Sequence, residues 1–130
     1  MKEIEIKTTI GVFDSLNDLP TDIQSLMHQA IETRKNAYAP YSKFRVGAAI
    51  LLDNGKIVLG SNQENAAYPS GLCAERVAIF HAGAIYPNVK IIKLVIMNYK
   101  REAGMKRCLY FIIVLPADIN GRINLYMKVK

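Results

Sequence analysis

Cysteine is scarce in this sequence: Cys73 and Cys108 are the only two in 130 residues, and no Cys-x-x-Cys pair occurs. Two thiols argue against a disulfide framework and for a reducing, cytoplasmic setting. Long apolar runs are missing as well. The longest, "LYFIIVL" at 109–115, has the length of a strand and falls far short of the ~20 residues a membrane helix needs. The opening "MKEIEIKTTI" lacks the basic-then-apolar layout of a secretory signal, and no internal repeat or low-complexity tract is present. What is there, 51% apolar and 22% charged residues, is the composition of one globular domain, expected to span residues 1–130.

Acidic residues are short only at one end. Residues 1–99 carry 10 Lys/Arg and 9 Asp/Glu, whereas residues 100–130 carry 7 Lys/Arg against Glu102 and Asp118. Most of the net charge of +6 therefore sits in the last segment. That segment has no aromatic-interleaved basic pattern, so it reads as a solvated tail, with neither a nucleic acid nor a membrane surface expected as partner.

Periodicity organises the rest. Ile23, Leu26, Met27, Ala30 and Ile31 form one apolar stripe, and Thr21 with Gln24 after Pro20 has capping-box spacing, which predicts a helix over 21–36. His28 falls off the stripe and is expected in solvent. "RVGAAILLDNGKIVLGS" predicts a hairpin over 45–60 turning at Asn54-Gly55. After a polar loop, a second helix should start near Leu72 or Cys73. Residues 89–97 predict a buried strand, 109–115 another, and 123–129 a half-exposed one. This order suggests a three-layer α/β domain, a mixed sheet flanked by helices.

In "SGLCAERVAIF", Cys73 stands at the start of that second helix with Glu75 two residues on. Unsatisfied N–H groups and the positive end of the helix dipole stabilise a thiolate there, suiting it to ligate a metal or attack as a nucleophile. Glu75 is placed to carry a proton beside whatever Cys73 holds. A structural cysteine followed by a surface glutamate would give the same letters, so the pair alone decides nothing.

Its surroundings say more. "NAYAPYSKFRVGAAIL" and "SNQENAAYPSGLCAERVAI" resemble the cytidine deaminase family, whose segments run Tyr-Ser-x-Phe-x-Val-Gly-Ala, Asn-x-Glu-Asn-Ala and Cys-Ala-Glu-Arg in this order. The resemblance covers residues 20–97. It implies a cytidine deaminase-like fold and zinc-dependent hydrolytic deamination of cytidine or deoxycytidine, by attack of metal-bound hydroxide on C4 of the base. It implies Cys73 as the first zinc ligand and Glu75 as the general acid/base. Asn62 and Glu64 match the pair that hydrogen-bonds the ribose hydroxyls, Phe44 the aromatic packed on the pyrimidine, and Ala66 the backbone contact to the base. Arg76 resembles the arginine that hydrogen-bonds the zinc-bound sulfurs. Relatives of this small type are homotetramers, so an oligomer is expected. Without the family, Phe44 would pass for a core aromatic, Asn62 for a hairpin end and Arg76 for an exposed helix residue.

The pattern breaks after residue 97. The family closes its zinc site with a Pro-Cys-x-x-Cys motif at a later helix start, and this chain has none. A catalytic zinc takes three protein ligands and leaves a fourth position for water. Cys108, 35 residues after Cys73, is the remaining thiol, but "LYFIIVL" follows it where a helix start belongs. His81 lies eight residues along the same helix as Cys73, about 12 Å away at the helical rise and too far to share its ion. Codons chosen for Ile113 to Asp118 can be read one base over as Cys-Ala-Ala-Cys-Arg, so a frameshifted or otherwise altered C-terminus is one explanation of the break, although the motif's proline is not recovered. Two outcomes follow: a working deaminase, or an impaired homologue that keeps a nucleoside-shaped pocket. Two thiols favour substoichiometric zinc and little turnover.

Overall fold

The computed structural model describes the backbone of residues 1–5, 10–102, 105–114 and 124–129, and the side chains of 1–5 and 11–98. Its elements in chain order are β1 (Ile10–Gly11), α1 (Thr21–Thr33), β2 (Arg45–Leu52), β3 (Ile57–Ser61), α2 (Ala74–Ile85), β4 (Ile91–Glu102), β5 (Met105–Val114) and β6 (Asn124–Val129), with 3-10 turns at Leu16–Asp18, Arg34–Asn36 and Tyr68–Ser70. The strands form one sheet in the order β1-β6-β5-β4-β2-β3. Only the two-residue β1 pairs in parallel, with β6, so the sheet is mixed by a single short edge.

Alternation along β2 divides the core. Ala49 packs with Ile23, Leu26, Met27 and Ala30 of α1 and with Val95 and Met97 of β4. Its neighbours Ala48, Ile50 and Leu52 pack with Ala74, Ala78 and Ala82 of α2, with Val58 of β3 and with Leu94 of β4. Successive strand residues point to opposite faces, so α1 and α2 lie on opposite sides of the sheet. This is the expected three-layer α/β arrangement. It also explains why residues 94–97 read as a continuous apolar run: β4 is covered on both faces.

The helix near residue 21 begins differently from its expected cap. Pro20, with φ −52° and ψ 142°, is the N-cap, Thr21 is already helical, and no side chain caps the end. Gln24 instead reaches back, its Nε2 donating to Leu19 O at 2.7 Å and Asn17 O at 3.0 Å. The helix then tightens into a 3-10 turn over 34–36. His28 is exposed, as its position off the stripe implies. Asp22 pairs with Lys93 of β4, and the ammonium's hydrogen bond, then its charge, holds the carboxyl below its ordinary value despite some desolvation. The pair is exposed enough to add little stability.

The hairpin turns where Asn54-Gly55 placed it, with Gly55 N donating to Leu52 O at 3.0 Å and Leu52 N to Lys56 O at 2.9 Å. β4 runs five residues past the expected end at 97, and β5 pairs with it from Lys93↔Val114 to Glu102↔Met105. The expected strands at 109–115 and 123–129 correspond to β5 and β6, except that residues 115 and 123 lie outside the described residues. The burial expected of both strands, and residues 115–118 of the stretch that the frameshift reading concerns, fall outside them too.

Candidate active site

Two loops and one helix end build the site. The first loop runs from Tyr38 to β2, the second from Asn62 to Leu72, and Cys73 follows as the N-cap of α2. The loops are stitched together by backbone: Tyr38 N donates to Asn62 O at 3.0 Å and Glu64 N to Tyr38 O at 2.8 Å, while Gln63 and Leu72 exchange two bonds of 2.9 Å. Phe44, Asn62, Glu64, Ala66, Cys73 and Arg76 thereby line one cleft of about 960 Å³. The size suits a small molecule.

Asn62 is buried, and its carboxamide clamps the entry to β2. Oδ1 accepts Val46 N at 2.7 Å and Nδ2 donates to Phe44 O at 2.9 Å. Glu64 performs the same service for the preceding turn. Its Oε2 accepts Tyr41 N at 2.9 Å and Ser42 N at 3.2 Å, and its Oε1 accepts the Ser42 hydroxyl. The Ser42 oxygen in turn accepts Phe44 N at 3.0 Å across Lys43, which sits in the left-handed region at φ 57°. A non-glycine residue there needs support from its surroundings. The Ser42 hydroxyl, then the Tyr41 and Ser42 amides and the Lys43 charge, hold the Glu64 carboxyl below its ordinary value, against partial desolvation.

A depressed carboxyl pKa stabilises the folded state above the unfolded value, ordinarily near 4.5, and that contribution disappears as pH falls through the lower folded value. The 41–44 turn is therefore expected to stay closed through neutral pH and to open in acid. Amide shifts of Tyr41 and Ser42, followed by NMR, should titrate together with a midpoint below 4.5; a midpoint at or above that value contradicts the clamp.

Cys73 is exposed and free. Partial desolvation first, then a hydrogen bond with Glu75, push its thiol up, and the Arg76 N–H and guanidinium offset only part of the rise. Burial and Glu75 thus outweigh Arg76 and favour the thiol form over the thiolate. Glu75, half-buried in the first turn of α2, meets Cys73 but is not among the residues lining the cleft. Sequence reasoning gave no role to Ser42, although Ser-x-Phe has the spacing at which a serine hydroxyl bonds the second residue on.

A family profile described as "Cytidine and deoxycytidylate deaminase zinc-binding region" matches residues 20–113. The chain belongs to this deaminase family. The match continues past residue 97, where the motif resemblance stops, and takes in β4 and all of β5 but Val114. The cytidine deaminase of Sporosarcina psychrophila is 36% identical over 106 residues, covering 82% of this chain and 76% of the relative. That of Halalkalibacterium halodurans is 51% identical over 61 residues, 47% of this chain and 46% of the relative, so this match spans about half the relative's length. The crystal structure of the Mycobacterium tuberculosis cytidine deaminase superposes with a TM-score of 0.57 at 34% identity, covering 61% of this chain and 63% of that one. The Burkholderia pseudomallei structure gives 0.55 at 28% identity, covering 78% and 88%. These deaminases are enzymes, and the family is one of enzymes.

A zinc-binding family raises the question of whether these residues suit zinc. Among the described residues, no three His, Cys, Asp or Glu side chains come together as a metal site. His81 is exposed on α2, and His28 lies on α1, beyond the opposite face of the sheet. The Cys108 backbone is inside β5, paired with Tyr99, and not at a helix N-terminus; its side chain is outside the described residues. A thiol and its neighbouring carboxylate do not meet the three-ligand requirement of catalytic zinc. Among the described residues, the donor set does not fit.

Proposed function

We propose that the cleft is a cytosine nucleoside site, taking cytidine or deoxycytidine, and that the reaction it serves is hydrolytic loss of the 4-amino group to give the uracil nucleoside and ammonia, a step of pyrimidine salvage in the cytoplasm. The convergence of Phe44, Asn62, Glu64 and Ala66 on one cleft with Cys73 carries this reading. Phe44 offers a ring face to the base, Ala66 a backbone group, and Asn62 and Glu64 hydrogen-bonding capacity to the sugar. Glu75 is the chain's proton carrier next to Cys73. Family chemistry needs an activated water, for which the described donors supply no complete metal site, so no step is assigned to one. With Cys73 and Cys108 the only thiols of the sequence, short of three zinc ligands, we expect this chain to bind its nucleoside with little or no turnover. A homotetramer is the proposed assembly, supported by exposed Ile79, Phe80 and Ile85 on α2.

Titration with cytidine, followed by ¹H–¹⁵N NMR, tests the site. Saturable shifts should concentrate at Phe44, Asn62, Glu64 and Ala66. No saturable change at these positions overturns the proposal, and tighter, salt-dependent binding of polynucleotide would replace it with a basic-tail function.

A further inference from the structure

We propose that Ser42 is the positioning residue that aims the sugar-binding carboxylate, leaving Glu64 one acceptor site, on Oε1, for one sugar hydroxyl. The inference rests on the nucleoside reading and adds a residue and a stoichiometry to it. An ionised carboxylate has about four lone-pair sites, two on each oxygen. Oε2 spends both on the Tyr41 and Ser42 amides, and Oε1 spends one on the Ser42 hydroxyl. One site on Oε1 remains. Glu64 and Ser42 both line the cleft, so that site belongs to the same space as Phe44 and Ala66.

Ser42 also reaches the base side. Its oxygen accepts Phe44 N at 3.0 Å, so one hydroxyl fixes both the carboxylate that meets the sugar and the backbone of the aromatic that meets the base. Phe44 has a second restraint in the Asn62 amide on its carbonyl, whereas among the described residues Oε1 of Glu64 has only Ser42. Losing the hydroxyl should therefore free the carboxylate more than the ring. The main-chain amides still hold Oε2, which leaves the carboxylate able to swing Oε1 about that anchor. Lys43, at φ 57°, adds to the demand for a fixed turn at this point.

Calorimetric titration of the full chain and its variants with cytidine and with 2′,3′-dideoxycytidine tests the assignment, because the second ligand lacks the hydroxyls Glu64 would accept. Ser42→Ala should weaken cytidine about tenfold, the size of one hydrogen bond to a charged group, and leave the dideoxy ligand within about twofold. Ser42→Thr, which keeps the hydroxyl at an exposed position, should restore cytidine binding. In a Glu64→Ala background, Ser42→Ala should cost cytidine nothing more. Equal losses for both ligands, failure of the threonine variant to rescue, or additive losses in the double variant would each overturn the role of Ser42. If the unsubstituted chain binds neither ligand, the nucleoside reading itself fails, and this inference falls with it.

Discussion

Gly60→Ala is expected to destabilise the fold by roughly 3 kcal/mol or more, at the upper end of what overpacking costs. A Cβ at Gly60 would stand 2.4 Å from Ala74 O and 2.5 Å from Ala78 N, both backbone atoms of α2 that cannot step aside as a side-chain tip can. The helix must lift off β3, and Cys73 at its start moves with it. Small residues make this close approach, since Ala74, Ala78 and Ala82 are the buried side chains of α2. Gly83, on the same helix with nothing within 4 Å of an added Cβ, provides the control: Gly83→Ala should stabilise by about 0.5–1 kcal/mol through helix propensity. Urea denaturation measures both. The same substitution is thus expected to shift the midpoint in opposite directions, and a Gly60→Ala midpoint at or above that of the unsubstituted chain would contradict the packing of α2 on β3.

Asn62→Leu is expected to cost roughly 2–4 kcal/mol and to abolish nucleoside binding. Leucine keeps the branched shape of asparagine but is bulkier, so overpacking at this buried position adds to the loss from the two backbone groups it leaves behind. Val46 N–H and Phe44 C=O each lose a side-chain partner in a part-buried setting, at about 1–3 kcal/mol per orphaned group. Asn62→Asp separates the two halves of the clamp. Its carboxylate can still accept from Val46 N, but it faces the Phe44 carbonyl with an oxygen where the amide donated, so it should fall between the parent and the leucine variant. Thermal melts and cytidine titration of both variants give the comparison. A leucine variant as stable as the parent would show that the carboxamide is dispensable to the loop.

How much of this could be read from the letters depends on the interaction involved. The apolar stripe of α1 and the Asn54-Gly55 turn are local patterns, and both elements formed where those patterns lay. The ordering of Phe44, Asn62, Glu64, Ala66 and Cys73 was carried by motif resemblance, and the fold brings these residues to one cleft. The failures are tertiary. Thr21 had the spacing of a cap, but Pro20 starts the helix a residue earlier and Gln24 satisfies carbonyls outside it. β4 continued beyond 97 because β5 supplies a partner for its backbone, which no property of residues 98–102 announces. Nothing in the hairpin pattern singles out Gly60, because the helix that needs the space is more than ten residues away in sequence.

The proposed nucleoside cleft, beside a zinc donor set incomplete among the described residues, has one direct consequence in solution. Purified under metal-replete conditions, the full chain should carry well under one zinc per protomer, and the same sample should convert cytidine to uridine no faster than a Glu75→Gln variant, while still binding cytidine. Elemental analysis paired with a spectroscopic deamination assay measures all of this on a single preparation. One tightly held zinc per chain, with turnover that Glu75→Gln abolishes, would contradict the account and place the missing ligands among residues beyond those described.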